Sequence, residues 1–203
     1  MSSTNRGYER HKTDYYVTPL SAVATFLDAF LGDVQQGEFI DDTTGIADKP
    51  DKMRWLDPCA GGDDFHEMSY PAAIKKAFDI GIDTLDIRND SKAQIQTDYL
   101  TWDKGKNEYD IIITNPPFYL AQAIIEKALK DVKDGGYVIM LLRLNFFGSN
   151  ERFPFWEKQL PILTYVHHRR FSFTDDKKTD SIEYMHAVWQ KGNCPKFSML
   201  KVI

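Results

Sequence analysis

Cysteine and long apolar runs are scarce in this sequence of 203 residues, and the chain has no net positive charge. The two cysteines, Cys59 and Cys194, are too few for a disulfide framework and too far apart for a zinc-binding pair. The longest uninterrupted apolar run, residues 137–142, is far too short to span a membrane, and the polar start lacks the apolar core of a signal peptide. These absences predict a reduced, cytoplasmic protein that has no membrane partner.

The charge balance is acidic, with 25 Lys and Arg against 30 Asp and Glu and a formal net charge of -5. Affinity for phosphates needs clustered basic side chains, so the net charge argues against a protein that coats nucleic acid through bulk charge. Basic residues do cluster at 167–170, and Lys177 and Lys178 follow. This segment is either a solvated strand end or a local grip on phosphates.

Strand-like and helix-like patterns alternate from residue 53 onward, which predicts an α/β fold with a doubly wound, mostly parallel sheet. The length fits a single domain, with residues 1–52 as an N-terminal extension and residues 53–203 as the α/β core. The extension contains a predicted helix at 21–34 and a polar loop at 37–52. Strands are predicted near residues 53–57, 83–88, 95–100, 109–115 and 136–147, and helices near 70–78, 121–133 and 153–159.

The last part of the chain has a different pattern, since the strand-like runs 162–170 and 182–191 are joined without a helix. This predicts an antiparallel pair at one edge of the sheet. In a doubly wound sheet the ligand crevice lies beyond the carboxyl ends of the strands. The turns after Asp57, Arg88 and Asn115 are therefore expected to face one another.

A tight turn, Asp57-Pro58-Cys59-Ala60-Gly61-Gly62, follows the first strand of the predicted core. Paired glycines at a strand end permit a sharp turn and a close approach by a ligand. The turn lacks the glycine spacing and the Gly-Lys-Ser/Thr ending of a phosphate cradle, and its carboxylates would repel an anion. A ligand with positive charge or hydroxyl groups fits it better, although a turn that merely links strand to helix has the same pattern.

A second turn, Asn115-Pro116-Pro117-Phe118, follows the apolar strand at 109–114. Two prolines remove two backbone donors and fix φ, so the turn holds the Asn115 side chain and the Pro116 carbonyl rigidly. Both oxygens can accept hydrogen bonds from one NH2 group, and Phe118 offers a flat face for stacking. The turn predicts a site for a planar amino group, and the alternative is a plain proline turn that ends a strand.

In their order along the chain, the Asp57 turn, an acidic residue after the next strand and the Asn115 turn resemble the amino-group DNA methyltransferases. The resemblance covers residues 14–192, and the segments 142–149 and 170–174 are similar to small phage and prophage members. It implies a Rossmann-like class I methyltransferase fold with S-adenosylmethionine as cofactor. The implied activity is methyl transfer to adenine N6 in DNA.

The resemblance also implies a role for each matching residue. Catalysis would rest on Asn115, Pro116, Pro117 and Phe118, without a nucleophilic side chain, because the target nitrogen itself attacks the methyl group. Asp86 would accept hydrogen bonds from the ribose hydroxyls, and Asp98 would read the cofactor's adenine. The residues implied to contact the cofactor are Tyr15, Tyr16, Thr18, Pro19, Asp57, Pro58, Cys59, Ala60, Gly61, Asp86, Ile87, Asp98 and Tyr99.

Nucleic acid is the implied partner, DNA more than RNA, and the target base must be unpaired or flipped into the pocket. Only 85 residues follow Phe118, and the catalytic fold uses them. Sequence specificity should therefore be low, or a partner protein or oligomer should supply it. The residues expected to grip the substrate are Arg143, Asn145, Arg169 and Arg170.

Several alternatives stay open at this stage. RNA adenine methyltransferases and glutamine side-chain methyltransferases also use an Asn-Pro-Pro-aromatic turn, because all of them hold a planar NH2 group. The glutamine enzymes usually have Tyr after the prolines and a helical domain in front. A non-catalytic subunit that binds S-adenosylmethionine is a further reading. No metal is expected, because His66, Glu67, His167 and His168 lack the spacing of a metal site.

Overall fold

The computed structural model describes residues 16–37, 44–46, 48–173 and 179–203, so Tyr15, Lys177 and Lys178 lie outside it. Within these residues, eight strands form one sheet and four α-helices accompany it. The helices are α1 (Leu20–Gln36), α2 (Ser69–Phe78), α3 (Ala121–Asp131) and α4 (Phe153–Trp156). The strands are β1 (Trp55–Asp57), β2 (Asp83–Asp86), β3 (Ile95–Gln96), β4 (Tyr109–Thr114), β5 (Val132–Arg143), β6 (Leu163–Val166), β7 (Tyr184–Gln190) and β8 (Met199–Val202).

The strand order is β3-β2-β1-β4-β5-β7-β6-β8, and the first five of these strands are parallel neighbours. The chain moves outward from β1 to β2 and β3, then returns to pair β4 with the other side of β1. A sheet that reverses direction in this way opens a crevice beyond the carboxyl ends of its central strands. The α/β class and the mostly parallel, doubly wound sheet predicted from the sequence are confirmed.

Alternating apolar residues in the central strands divide the interior into two cores. Ile111 and Ile113 of β4 face the core that contains α1 and α2, whereas Ile112 faces the core that contains α3. Each of these three side chains is fully buried. Because side chains alternate along a strand, one apolar strand with helices on both sides supplies both cores.

Helix α1 places the segment that precedes it against the sheet. Its buried stripe contains Val23, Phe26 and Phe30, at the spacing of one helix face. The helix starts directly after Pro19 and ends at Gln36, and Gly37, whose φ is 66°, forms its left-handed C-cap. The segment that ends at Pro19 is therefore anchored by a helix that is packed into the core.

The antiparallel pairing predicted for the last part of the chain is present, since β7 is antiparallel to both β6 and β5. The sequence did not predict β8, which pairs in parallel with β6 and takes the outermost place in the sheet. The predicted helix at 153–159 is shorter, because α4 ends at Trp156 and the chain continues as hydrogen-bonded turns. No helix in the described part of the chain combines the length and apolar character needed to cross a bilayer.

Candidate functional site

A cavity of about 310 Å³ lies beyond the carboxyl ends of β1, β2 and β4. Turns from all three strands contribute to its wall, as the sequence predicted for the crevice of a doubly wound sheet. Small-molecule sites typically start at about this size. The residues in its wall are Tyr16, Thr18, Pro58, Cys59, Ala60, Ser69, Tyr70, Asp86, Ile87, Arg88, Asp98, Tyr99, Leu100, Asn115, Pro117, Tyr119, Leu120 and Ile124.

The turn after β1 contributes Pro58, Cys59 and Ala60 to this wall and buries the carboxylate that precedes them. Asp57 is 1% exposed; its Oδ1 accepts the Cys59 N–H at 3.2 Å, and its Oδ2 has no hydrogen-bond partner among the described residues. Burial raises the pKa of Asp57 to about 7; the nearby Thr114 hydroxyl and the Cys59 N–H act in the opposite direction, and the charge of Asp86 adds a smaller upward effect. The turn thus holds a carboxylate that lacks one partner and whose charge is costly without a cation.

Two glycines make this turn possible. Gly61 and Gly62 have φ values of 65° and 72°, which side-chain-bearing residues rarely adopt. At Gly62 a Cβ atom would also lie 2.6 Å from the Met68 side chain. Gly61 itself is outside the cavity wall, and its N–H donates to Asp86. The glycine pair therefore shapes the backbone around the cavity.

Asp86 ends β2 and holds the neighbouring loops together. One carboxylate oxygen accepts the Gly61 N–H at 2.7 Å and the other accepts the Arg88 N–H at 2.8 Å. A carboxylate has about four lone-pair positions, so both oxygens can accept further hydrogen bonds. The side chain is 5% exposed and contributes to the cavity wall. The backbone thus orients a carboxylate acceptor toward the cavity.

Asp98 and Tyr99 lie next to Asp86 because the Thr97 N–H donates to the Asp86 carbonyl at 2.9 Å. The Oδ1 atom of Asp98 accepts the Leu100 N–H at 2.9 Å. All three of the residues from Asp98 to Leu100 contribute to the wall. The fold therefore places Asp86 and Asp98 in the wall, whereas Asp57 is buried outside it, directly before the wall residue Pro58.

Asn115 lies directly after β4. Because β2 and β4 flank β1 on opposite sides, Asn115 and the turn after β2 approach the cavity from opposite sides. The Asn115 Nδ2 donates to the Thr18 Oγ1 at 3.0 Å, across 97 residues of sequence. Asn115 and Pro117 contribute to the cavity wall, and Pro116 is buried behind them. The Asn-Pro-Pro turn and the segment before α1 thus meet at one side of the cavity.

Phe118 lies in an aromatic cluster instead of in the cavity wall. The Arg143 guanidinium lies over its ring at 4.4 Å, and the Tyr184 ring centroid is 6.0 Å away. Phe118 was expected to offer an open face for stacking, but Arg143 covers one of its two faces. The aromatic cluster comprises Tyr16, Phe118, Phe171, Phe173 and Tyr184.

The basic segment that follows β6 emerges at the same edge of the sheet, because β6 runs parallel to β5. Arg169 and Arg170 are exposed, and Arg170 forms an ion pair with Glu183 at 3.2 Å. Asn145 is also exposed, in a 3₁₀ turn at Leu144–Phe147 outside the cavity wall. Of the four predicted substrate grips, the fold brings only Arg143 into contact with the Asn-Pro-Pro-Phe turn.

A buried chain of hydrogen bonds starts at the cavity wall. The Tyr70 hydroxyl lies 2.9 Å from the His186 Nε2, and the His186 Nδ1 lies 2.7 Å from the His167 Nε2. Burial lowers the pKa of both imidazoles, to about 4 for His167, so both are neutral at pH 7.

Burial also raises the pKa of the Cys59 thiol. Within the described ranges, no group of three His, Cys, Asp or Glu is arranged to hold a metal ion.

Sequence reasoning missed seven wall residues. Tyr119, which is 76% exposed, directly follows the predicted turn and could have been found from that position alone. Arg88 and Leu100 also directly follow predicted site residues. The other four have no signal in the sequence, because they reach the wall through the packing of α2 and α3. The missed residues are Ser69, Tyr70, Arg88, Leu100, Tyr119, Leu120 and Ile124.

Comparison with known proteins gives one relative of moderate identity. The ribosomal protein uL3 glutamine methyltransferase of Bradyrhizobium diazoefficiens is 30% identical over 131 residues, which are 59% of this chain and 39% of that protein. The chain thus spans well under half the length of that relative. No protein-family model matches the sequence.

Solved structures share the fold at low identity. A Listeria monocytogenes protein assigned to the class I S-adenosylmethionine-dependent methyltransferases has a TM-score of 0.59 and 15% identity, over 92% of this chain and 65% of that chain. A Vibrio vulnificus protein assigned as the modification subunit of a type I restriction enzyme has a TM-score of 0.61 and 11% identity, over 93% of this chain and 47% of that chain. The class I methyltransferase fold that the resemblance implied is thereby confirmed.

Proposed function

We propose that this chain is an S-adenosylmethionine-dependent methyltransferase that acts on the exocyclic amino group of a nucleic-acid base, with adenine N6 in DNA as the substrate. One observation carries the proposal: Asn115 lies in the wall of the same cavity as the carboxylates Asp86 and Asp98. The methyltransferase relative and the shared class I fold support the general activity. In this proposal the whole chain is one methyltransferase domain.

The residues around the cavity fit the cofactor. S-adenosylmethionine carries an ammonium group, a sulfonium group, two ribose hydroxyls and an adenine ring. Asp57 offers a buried oxygen that lacks a partner, and a cation or N–H donor would satisfy it. Asp86 would accept from the ribose hydroxyls, and Asp98 would accept from the adenine amino group. Apolar side chains in the same wall, Leu120 and Ile124, offer surface for the ring.

The residues around the nitrogen that receives the methyl group position it and accept its hydrogen bonds. When it is bound, S-adenosylmethionine supplies an electrophilic methyl group. Asn115 Oδ1 and the Pro116 carbonyl would accept hydrogen bonds from the target NH2 group and stabilise the positive charge that develops on nitrogen. The side chain of Asn115 is already held by Thr18, so little reorganisation is needed. Cys59 stays a protonated thiol in the wall and provides no nucleophile.

A nucleic-acid base suits the surroundings of Asn115. Three rings of the aromatic cluster, those of Tyr16, Phe118 and Phe173, are only half-buried, and bases stack on such rings regardless of sequence. Arg169 and Arg143 would contact phosphates near this edge of the sheet. Few residues are available to contact the substrate, so we propose that a partner protein or an oligomer supplies sequence specificity.

Glutamine in a protein is the second candidate substrate. This candidate is favoured by the 30% sequence identity between this chain and the ribosomal protein glutamine methyltransferase. A glutamine side chain presents a planar NH2 group to the same pair of acceptors. The two candidates differ in what surrounds that group, since a base would use the aromatic cluster and a peptide would not need it.

Incubation with methyl-labelled S-adenosylmethionine tests the proposal. Single-stranded DNA, duplex DNA, RNA and ribosomal proteins are offered separately, and the labelled pool is digested to nucleosides or peptides. Labelled N6-methyl-2′-deoxyadenosine from DNA is the expected product. Label on a glutamine residue would select the second candidate, and label on RNA adenine would change the polymer. Absence of label in every pool, with Asn115→Ala as the background control, would overturn the enzymatic proposal.

A further inference from the structure

We propose that Thr18 is a positioning residue for Asn115: its hydroxyl fixes the rotation of the amide so that Oδ1 remains available to the substrate amino group. The observation is the hydrogen bond from Asn115 Nδ2 to Thr18 Oγ1, at 3.0 Å. The proposal rests on the proposed function, because it assigns how the acceptor side is prepared. It differs from the family resemblance, which implies that Thr18 contacts the cofactor.

Both partners are held by backbone constraints, so the hydrogen bond joins two fixed points. Thr18 is 3% exposed and precedes Pro19, and a residue before proline is restricted to extended conformations. The Pro19 carbonyl accepts the Ala22 N–H at 2.9 Å and so belongs to the first turn of α1. On the other side, Asn115 follows β4 and precedes two prolines. Neither backbone can adjust easily if the side-chain contact is lost.

The contact matters because the two ends of an asparagine amide have opposite hydrogen-bonding character. The oxygen accepts, whereas the nitrogen carries two donors. A target NH2 group that met the nitrogen of Asn115 would face donor against donor and lose the stabilising contact. With Nδ2 bound to Thr18, the oxygen is the end that remains for the substrate. Thr18 thus acts through Asn115 and does not need to touch the reacting atoms.

Thr18→Val and Thr18→Ser separate positioning from other roles. Valine keeps the branched shape but removes the hydroxyl, whereas serine keeps the hydroxyl. With saturating cofactor we expect Thr18→Val to lower kcat by roughly 10- to 100-fold, as expected when a reacting group is misplaced by a fraction of an ångström to an ångström. Cofactor Kd should stay at the wild-type value, and Thr18→Ser should recover most of the lost kcat.

Thr164→Val is the matched control. Thr164 is also buried, and its Oγ1 lies 3.2 Å from the Ser198 Oγ, on β6 and outside the cavity wall. The substitution removes the same hydroxyl from a hydrogen-bonded threonine. It should leave kcat unchanged, so a similar loss in both valine variants would reveal a general packing effect and overturn the proposal.

A second readout does not depend on activity. In 15N-labelled protein, the side-chain NH2 signal of Asn115 is assigned from its loss in Asn115→Ala. Exchange of these protons with water should be slow in the wild type and in Thr18→Ser, and faster in Thr18→Val. An exchange rate of the Asn115 NH2 protons in Thr18→Val equal to the wild-type rate would overturn the positioning role. If the wild type methylates nothing but the signal responds, the proposed function fails while the link between Thr18 and Asn115 stands.

The cofactor reading of Thr18 gives the opposite kinetic pattern. If Thr18 contacts the cofactor, Thr18→Val raises the cofactor Kd and leaves kcat at saturation near the wild-type value. Calorimetric titration and kcat measurements on the same preparations therefore decide between the two. A higher Kd with an unchanged kcat would overturn the proposal.

Discussion

Replacing Asp57 by Asn is expected to stabilise the fold at neutral pH and to weaken cofactor binding. Asp57 is 1% exposed, and its Oδ2 has no hydrogen-bond partner among the described residues. Burial raises its pKa from 3.8 to about 7, so its charged form is disfavoured in the folded chain. Asparagine keeps the shape and can still accept the Cys59 N–H, but it carries no charge.

The direction of the pH effect follows from proton binding to Asp57. Between pH 4 and pH 7 the folded state keeps a proton on Asp57 that the unfolded chain has released, so wild-type stability falls as the pH rises. The pKa change from 3.8 to about 7 sets an upper limit of roughly 4 kcal/mol on this loss. The stability advantage of Asp57→Asn should be small near pH 4 and largest above pH 7.

Urea denaturation from pH 4 to pH 8 measures this difference. Glu126→Gln is the control, because Glu126 is exposed and accepts a hydrogen bond from Gln122 at 2.9 Å. The control removes one carboxylate without removing a buried one, and its unfolding free energy should follow the wild type at every pH. Parallel curves for the wild type and Asp57→Asn would refute the assignment of a costly buried charge.

Ionisation of Asp57 should strengthen cofactor binding, whereas it lowers the stability of the fold. Only ionised Asp57 attracts an ammonium or sulfonium group, so the wild-type affinity for S-adenosylmethionine should rise as the pH passes through about 7. Asp57→Asn should bind more weakly above pH 7, with little dependence on pH. Equal affinities by calorimetric titration would remove Asp57 from the cofactor site.

Three further predictions concern the acceptor side and the buried imidazoles. Asn115→Ala should keep cofactor affinity and lose methyl transfer by on the order of 10²–10³, whereas Phe118→Ala should also weaken substrate binding, by about 1–3 kcal/mol per base. Arg169→Ala should reduce the salt slope of nucleic-acid binding by about one, and Arg170→Ala should reduce it less, because Arg170 already has a carboxylate partner. Burial lowers the pKa of His167 to about 4, so the fold should lose roughly 3 kcal/mol as the pH falls from 6.5 to 4, and His167→Gln should lose less.

Each of these predictions has a result that would contradict it. Full activity of Asn115→Ala would remove the Asn-Pro-Pro-Phe turn from catalysis. Salt slopes that match the wild type in both arginine variants would leave the segment after β6 as ordinary surface. Equal acid sensitivity of the wild type and His167→Gln would show that this imidazole takes up its proton without cost to the fold.

The sheet could be predicted because its signals are local. The run at β4 is apolar on both faces, as a central parallel strand requires, and the two prolines after Asn115 end it. By contrast, β8 has exposed apolar side chains, Leu200 and Val202, and follows a turn-rich segment. Its position depends on the backbone groups that β6 leaves open, and no pattern within residues 199–202 records that.

The same distinction between local sequence signals and tertiary contacts applies to the candidate site. Carboxyl ends of parallel strands meet at one edge, so a reader of the sequence can bring Asp57, Asp86 and Asn115 together from strand order alone. Thr18 is different, because it precedes a helix outside the sheet and is 97 residues from Asn115. Its place depends on how the buried stripe of α1 packs on the sheet, a tertiary contact without a sequence period. Strand order thus reveals the carboxylate side of the cavity, whereas the preparation of the acceptor amide becomes visible only once α1 is packed in place.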